Sequence, residues 1–246
     1  MPYLVVCSGI MRSASTWSYN VCRVLAHGTL DAEREVFFSG YSDETDKTLC
    51  DWLTDKRLNG RSVRGVLKSH QVGDQTRQAI ARGKIANVFT IRDPRDAMFS
   101  MMNFGAPKGE DELAHLIGLF RHVLDRGMAY LDDGVSMVVR YEDMTADPLA
   151  AVHAIARYMR LDPGERFLEK THRATQVENL KKIVERLEAE TPPGEDNVEP
   201  ATQLHVDHFH GGESGRWRTD LPPEMQARLH RAFEPYLAAY GYAATG

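Results

Sequence analysis

Short apolar runs alternate with amphipathic ones along this chain. Tyr3 to Ser8, Val63 to Lys68, Asn87 to Ile91 and Ser136 to Arg140 are brief, largely apolar stretches of the length a buried strand needs. Between and beyond them the apolar spacing switches to three and four residues. Thr16 to Ala26, Asp74 to Arg82 and Pro94 to Asn103 read as helices. The last opens with Asp93-Pro94, an N-cap followed by proline at the first helical position. Leu113, Leu116, Ile117, Phe120, Leu124, Met128 and Leu131 fall on one face of a longer helix. Asp147-Pro148 opens another, with Leu149, Val152, Ile155 and Met159 inward, and Val177, Leu180, Ile183, Val184 and Leu187 mark a further one. These stripes are core positions. The alternation predicts an α/β fold, a central parallel sheet flanked by helices. Two stretches break the rhythm. Ser39 to Asp46 is polar and turn-like, and Glu190 to Gln203, with Pro192-Pro193-Gly194 and a cluster of acids, has no period and is expected to be a mobile loop. No repeat, low-complexity tract or linker interrupts the chain, so a single domain over residues 1–246 is expected.

Composition narrows the class without naming it. A hydrophobic content of 42% and a charged content of 26% are those of a soluble globular protein. The formal net charge of -5 argues against a generic nucleic-acid binder, so any polyanion site must be locally basic. Cys7, Cys22 and Cys50 are odd in number and lack metal-ligand spacing, which suits reduced thiols in the cytoplasm. The first apolar run is too short for a signal-peptide core and lacks a basic leader, and no later run could span a bilayer.

The chemistry gathers at three strand ends. Ser8 to Trp17 follows the apolar run Leu4-Val5-Val6-Cys7 and leads into a helical pattern. A strand turning sharply into a helix aims free backbone N–H groups and the positive end of the helix dipole at one spot. Ser13, Ala14 and Ser15 are small enough to admit an anion close to that backbone. Ser15 and Thr16 add hydroxyl donors and Arg12 a guanidinium fork. A tight turn with an ordinary cap is the plainer explanation of the same residues. The second segment, Val88 to Ser100, repeats the layout with Arg92 and Arg95 at the turn, and Ser100 follows about two helical turns on. Arg92 and Ser100 could grip a phosphate there; alternatively, either arginine only pairs with Asp93 or Asp96. The third is Val66 to His70, where Lys68 and His70, two apart in extended chain, share a face. An imidazole takes a proton near neutral pH, and an ammonium beside it stabilises charge on a leaving oxygen.

In this order the three segments resemble the sulfotransferases that use 3′-phosphoadenosine 5′-phosphosulfate (PAPS). Arg12-Ser13-Ala14-Ser15-Thr16-Trp17 is similar to the family's 5′-phosphosulfate loop, Arg92 and Ser100 to its arginine-to-serine pair for the 3′-phosphate, and Val66 to His70 to the segment of the cytosolic branch that carries a catalytic lysine and histidine. Tyr141-Glu142-Asp143, a structural feature of the family, and a late loop, His210-Gly-Gly-Glu-Ser-Gly-Arg-Trp217, extend the resemblance to Trp217. It implies a P-loop-like three-layer sandwich and in-line transfer of a sulfuryl group to a hydroxyl or amine of a small-molecule acceptor, without a metal. It further implies His70 as base, Lys68 and Arg12 as charge stabilisers, and Trp17 against the adenine, with the product PAP held by Arg12, Ser13, Ala14, Ser15, Thr16, Trp17, Arg92, Ser100, His210, Gly211 and Gly212.

The sequence departs from the family in three places. Arg12 stands where the cytosolic branch has lysine. Ala14 stands where glycine is usual, so the backbone there is expected to avoid a conformation that only glycine tolerates. His210-Gly211-Gly212 replaces an arginine-lysine-glycine run, removing two cations and leaving the glycine amides as a nest. Asp74 is the nearby acidic alternative to His70 as base, and His205, His208 and His210 are alternative metal ligands that lack a clear fourth member. Two rivals share the features. A P-loop kinase should carry a second glycine and a lysine that this loop lacks, and a non-catalytic module would bind PAPS or PAP without turnover. Acceptor walls are expected from Phe37 to Trp52, Asn103 to Glu112 and Glu190 to His208, with Phe37, Phe38, Tyr41, Trp52 and Phe104 as the aromatic candidates. Oligomeric state is left open, since no dimerisation motif is evident after Trp217.

Overall fold

The computed structural model describes residues 2–104, 109–192, 195, 197–206, 209 and 212–242. All four expected strands form within it, joined by a fifth. In chain order the elements are β1 (Tyr3–Gly9), α1 (Ser15–Gly28), β2 (Glu35–Tyr41), α2 (Thr45–Leu53), a 3-10 turn (Lys56–Leu58), β3 (Ser62–Lys68), α3 (Asp74–Ala81), β4 (Ala86–Ile91), α4 (Pro94–Phe104), α5 (Glu110–Met128) and β5 (Met137–Arg140). There follow α6 (Tyr141–Ala146), α7 (Pro148–Tyr158), α8 (Glu165–Ala174), α9 (Val177–Glu190), a small hairpin of β6 (Val198–Glu199) and β7 (Leu204–His205), α10 (Trp217–Asp220) and α11 (Pro223–Ala239).

The five long strands make one parallel sheet in the order β2-β3-β1-β4-β5. Successive side chains of a strand leave on opposite faces, and the two apolar clusters follow that alternation. Leu4 and Val6 face one cluster with Leu67, Phe89 and Ile91, closed by Phe120 and Leu124 of α5 and Phe233 and Leu237 of α11. Val5 and Cys7 face the other with Val66 and Val88, closed by α1, α7 and α9 through Val21, Ile155 and Val184. The result is helix, sheet, helix. With β1 in the middle, the chain builds one side through β3 and the other through β4, so the C-terminal ends of all three lie side by side. Cys7 pairs with Lys68, and Gly9 with Thr90. Such a switch point is where open parallel sheets take their ligands.

Two expectations are corrected. Ser39 to Tyr41 is the end of β2, not a turn, and Thr45 already begins α2. An edge strand with Phe37 and Phe38 adjacent and Ser39-Gly40 following has no clean alternation to read. Within the expected mobile loop at 190–203, Val198–Glu199 instead forms one arm of the β6–β7 hairpin, which pairs Val198 with His205 and Glu199 with Leu204, while Pro193, Gly194 and Asp196 lie outside the described residues. Tyr19 Oη donates to Ala201 O (3.1 Å) and Asn20 Nδ2 to Thr202 O (2.8 Å), which seat the hairpin on α1. Two-residue strands are too short to carry a period. Among the described residues no helix is long and apolar enough to cross a membrane.

Candidate active site

The β1–α1 loop is built around a buried serine. The Ser13 hydroxyl donates to Ile10 O (2.7 Å) and meets Thr90 Oγ1 (3.0 Å), so it knots the loop to β4 and is turned away from any ligand. Gly9 passes so close to Thr90 that a Cβ there would collide with it. The knot forces the flanking backbone into the left-handed region, with Arg12 at φ 62° and Ala14 at φ 69°. Ala14 thus adopts the conformation it was expected to avoid, at a cost of about 1–2 kcal/mol, because the buried hydrogen bonds on either side of it leave no other path. In return, the first backbone bond of α1 is Ser18 N to Ala14 O (3.1 Å). The N–H groups of Ser15, Thr16 and Trp17 have no acceptor among the described residues, and neither hydroxyl of Ser15 and Thr16 makes a hydrogen bond there. Trp17 packs into the apolar cluster under α1 and keeps 8% of its surface exposed.

The β4–α4 turn separates its two arginines. Arg95 is fully buried, forked onto Asp93 (Nε–Oδ1 2.9 Å, Nη2–Oδ2 2.7 Å) and stacked 4.2 Å from the Trp217 ring. This is the structural pairing. Arg92 makes no ion pair among the described residues. It stacks 4.2 Å over Tyr141, and its Nη2 donates to Glu213 O (2.9 Å) and its Nη1 to Arg12 O (3.4 Å), while its buried Nε has no hydrogen-bond partner. Arg12 Nε in turn donates to Ser100 Oγ (3.1 Å). Arg12 thus links Arg92 and Ser100, and burial together with Arg92 brings the Arg12 guanidinium down to about 10.

The late loop is clasped to the same turn. Asp96 accepts from Gly215 N (2.6 Å) and Trp217 N (3.2 Å), and Tyr141 Oη donates to Gly212 O. Glu142 accepts from Asp93 N (3.1 Å) and from Tyr242 Oη (3.0 Å), which makes the Tyr141-Glu142-Asp143 segment a brace. Of the late-loop candidates, Gly212 is in place; His210 and Gly211 lie outside the described residues, as does His208. Among the described residues no group of three or more His, Cys, Asp or Glu could hold a metal.

At the end of β3, Lys68 is buried and makes no hydrogen bond or ion pair among the described residues; its Nζ lies 5.0 Å from the Tyr41 ring centre. Burial, with Arg12 repelling it, lowers the ammonium to about 8 against the opposing pull of Asp43. His70 Nδ1 lies 2.9 Å from Gly9 O. A carbonyl only accepts, so Nδ1 carries the proton and Nε2 keeps its lone pair. Burial and the neighbouring Lys68 push the imidazole down to about 4, so it is neutral at pH 7. Asp74, the acidic alternative, sits on the surface in a pair with Arg126 (3.4 Å), its side chain 77% exposed.

Reading the sequence missed Asp43, Thr90 and Asp96. They act chiefly through partners 26 to 121 residues away, and no local pattern marks them. Of the aromatic wall candidates, Phe38 stacks on Trp52 and Phe37 meets His27 edge-on, whereas Tyr41 lies beside Lys68 and His70 and is 44% exposed; the Phe104 side chain lies outside what is described.

Residues 8–241 match the sulfotransferase domain family. The chain belongs to that family. It is 24% identical over 200 residues to cytosolic sulfotransferase 17 of Arabidopsis thaliana, covering 72% of this chain and 56% of that protein. It is 29% identical over 164 residues to cytosolic sulfotransferase 16 of the same plant, covering 58% and 47%. The chain thus spans about half the length of the curated relatives it matches. Among solved structures, retinol dehydratase in complex with androsterone and PAP superposes with a TM-score of 0.63 at 17% identity, covering 96% of this chain and 82% of that one. Mouse sulfotransferase SULT7A1 complexed with PAP gives 0.63 at 16%, covering 99% and 89%. At these identities the structural likeness establishes the sulfotransferase fold.

Proposed function

We propose that this protein transfers a sulfuryl group from PAPS to a hydroxyl or amine of a small-molecule acceptor. The observation that carries the reading is the meeting of Arg12, Lys68 and Arg92 with the open N-terminus of α1 and a neutral imidazole at one switch point. The net charge of -5 makes that basic spot local, which suits a small polyanionic donor better than a nucleic acid. We assign the reaction to one domain and infer a cytosolic location by its likeness to the cytosolic sulfotransferases of Arabidopsis thaliana.

The residues suit such a donor. Arg92 has a buried Nε without a partner, and Lys68 makes no ion pair among the described residues; an anion would complete both. We assign Arg92, Ser100 and the backbone around Gly212 to the 3′-phosphate. Arg12, the hydroxyls of Ser15 and Thr16 and the N–H groups from Ser13 to Trp17 are assigned to the phosphosulfate end. Ser13 and Ala14 serve through backbone, and Trp17 offers the adenine only its narrow exposed edge. Bound PAPS supplies the activated sulfuryl group. His70 Nε2 takes the proton from the acceptor, and Arg12 and Lys68 stabilise negative charge growing where the leaving oxygen sits. Lys68, held near 8, is cationic in most molecules at pH 7.

The test is release of PAP from PAPS in the presence of phenols, steroid-like alcohols and amines, with wild type and His70→Ala compared. The expected result is turnover with at least one acceptor, reduced about a thousandfold in the variant, with PAP affinity held within about threefold. PAP binding without turnover across the panel would leave a binding module, and preference for ATP with magnesium would leave a kinase-like enzyme.

A further inference from the structure

The β2–α2 turn is laced to the segment after β3 by side chains reaching backbone. Asp43 Oδ1 accepts from Ser69 Oγ (3.1 Å), His70 N (2.9 Å) and Gln71 N (3.0 Å), while its Oδ2 accepts from Tyr41 Oη (2.5 Å). Thr45 Oγ1 accepts from Gly73 N (2.8 Å), and Asp46 from Gln75 N (3.2 Å) and Thr76 N (2.8 Å). Five backbone N–H groups between the end of β3 and the first turn of α3 thus find their acceptors between the end of β2 and the first turn of α2. Of these three side chains, only Asp43 serves the part that carries the imidazole, sharing Gln71 N with Ser69 Oγ (3.0 Å).

We propose that Asp43 is a positioning residue for His70: it fixes the 69–71 turn so that Nδ1–H points at Gly9 O and Nε2 is left as the proton acceptor. This rests on the proposed sulfuryl transfer for its purpose, though not for its geometry. Three observations support it. His70 sits one residue beyond the last sheet-bonded position, since Ser69 N still donates to Cys7 O (3.0 Å) and no sheet bond of His70 follows. Its main chain is therefore aimed by Asp43 and not by the sheet. Asp43 is also well engaged: against the opposing effect of partial burial, Tyr41 Oη and the His70 and Gln71 N–H groups hold it below the usual carboxylate range, with the Ser69 hydroxyl shared between it and Gln71 O (2.9 Å). An ionised carboxylate so engaged is a brace, not a second base. Finally, Tyr41, tied to Asp43 by its hydroxyl, has its ring beside both Lys68 Nζ (5.0 Å) and His70 (ring centres 6.1 Å apart). One carboxylate thereby sets the base, the ring beside it and, through the ring, the lysine's surroundings.

The direct readout is the tautomer of the His70 ring, from long-range proton–nitrogen spectra of the full chain at pH 7. Wild type is expected to be almost wholly Nδ1–H. In Asp43→Ala the ratio of Nδ1–H to Nε2–H falls roughly tenfold, the scale of one lost hydrogen bond. Asp43→Asn, whose amide oxygen still accepts from the turn, restores the wild-type ratio. Thr45→Ala removes a bond of the same lacing that does not touch residues 69–71 and leaves the ratio unchanged. PAP titrated into each variant is expected to bind within about threefold of wild type. A wild-type tautomer ratio in Asp43→Ala, or an equal fall in Thr45→Ala, overturns the proposal. Should the alanine variant fail to fold, Asp43→Glu takes its place, because the longer side chain moves the acceptor while keeping the charge; an unchanged ratio there also overturns it. Absence of PAP binding in wild type would count against the sulfotransferase reading and leave the tautomer result to decide on Asp43.

Discussion

The β1–α1 and β4–α4 junctions share a strand-turn-helix layout, yet they are put together in opposite ways. At the second, nearly every polar group is matched within the protein. Asp93 caps α4 through Arg95 N (2.9 Å) and forks Arg95, Asp96 anchors the late loop, and Glu142 takes Asp93 N. At the first, Ser13 is matched, while three N–H groups and two hydroxyls stand without partners among the described residues and two residues sit in the left-handed region. One junction holds the fold together and the other holds itself open. Arg92 is the exception at the closed junction. It belongs by position to the second and reaches across to the first through Arg12 O. Backbone conformations of this kind persist only where the surroundings over-determine them, and they gather at ligand sites.

If the closed junction is structural, breaking it should cost the most. Asp93→Ala takes the forked carboxylate from the buried Arg95 and is expected to lower stability by about 3–5 kcal/mol in denaturant unfolding; a loss below 1 kcal/mol would show that the Asp93–Arg95 fork does not hold the junction. Arg92→Ala sharpens the exception. It is expected to weaken PAP by about 2–3 kcal/mol, roughly 30- to 150-fold, to weaken adenosine 5′-phosphosulfate less, and to leave stability nearly unchanged. Equal losses for both ligands would remove Arg92 from the 3′-phosphate site.

His70 hangs from the open junction through Gly9 O, and its protonation reports on that junction. Its folded value near 4 lies below the ordinary 6.5, so between the two the unfolded chain binds the extra proton. Stability is therefore full above pH 6.5 and falls as pH drops toward 4, by about 2 kcal/mol once the partial exposure of the ring is allowed for. His70→Gln should flatten that slope; an unaltered slope would mean the imidazole is not held neutral. The smallest effect is a gain. Ala14→Gly relieves the left-handed strain and is expected to add about 0.5–1 kcal/mol, a rise of roughly 1–4 °C in Tm. A fall in Tm would show that Ala14 is not strained.

The two junctions also differ in how far they could be read from sequence. Strand ends, helix starts and the Arg92–Ser100 spacing were legible because each is local: an apolar run, a cap with proline, two turns of helix. The meeting of Lys68 and His70 with the loop was legible through the parallel-sheet rhythm, which sends strand ends to one edge. Ala14 was misread because a residue's φ is set here by Ser13 and Thr90, and Thr90 lies 77 residues from Ser13. Arg92 and Arg95 could not be told apart, since both have an aspartate next to them in sequence and only the fold decides which guanidinium turns back to it. Asp43 looked like one more turn residue, and the β6–β7 hairpin like loop, because their partners lie in the segment after β3 and on α1.

The most direct measurement is calorimetric titration of wild type and Arg92→Ala with PAP and with ATP, each with and without magnesium. The account predicts PAP binding by wild type that is indifferent to magnesium, stronger than that of ATP, and weakened about 30-fold or more in the variant. Preference for ATP with magnesium, or PAP affinity unmoved by the loss of Arg92, would contradict it.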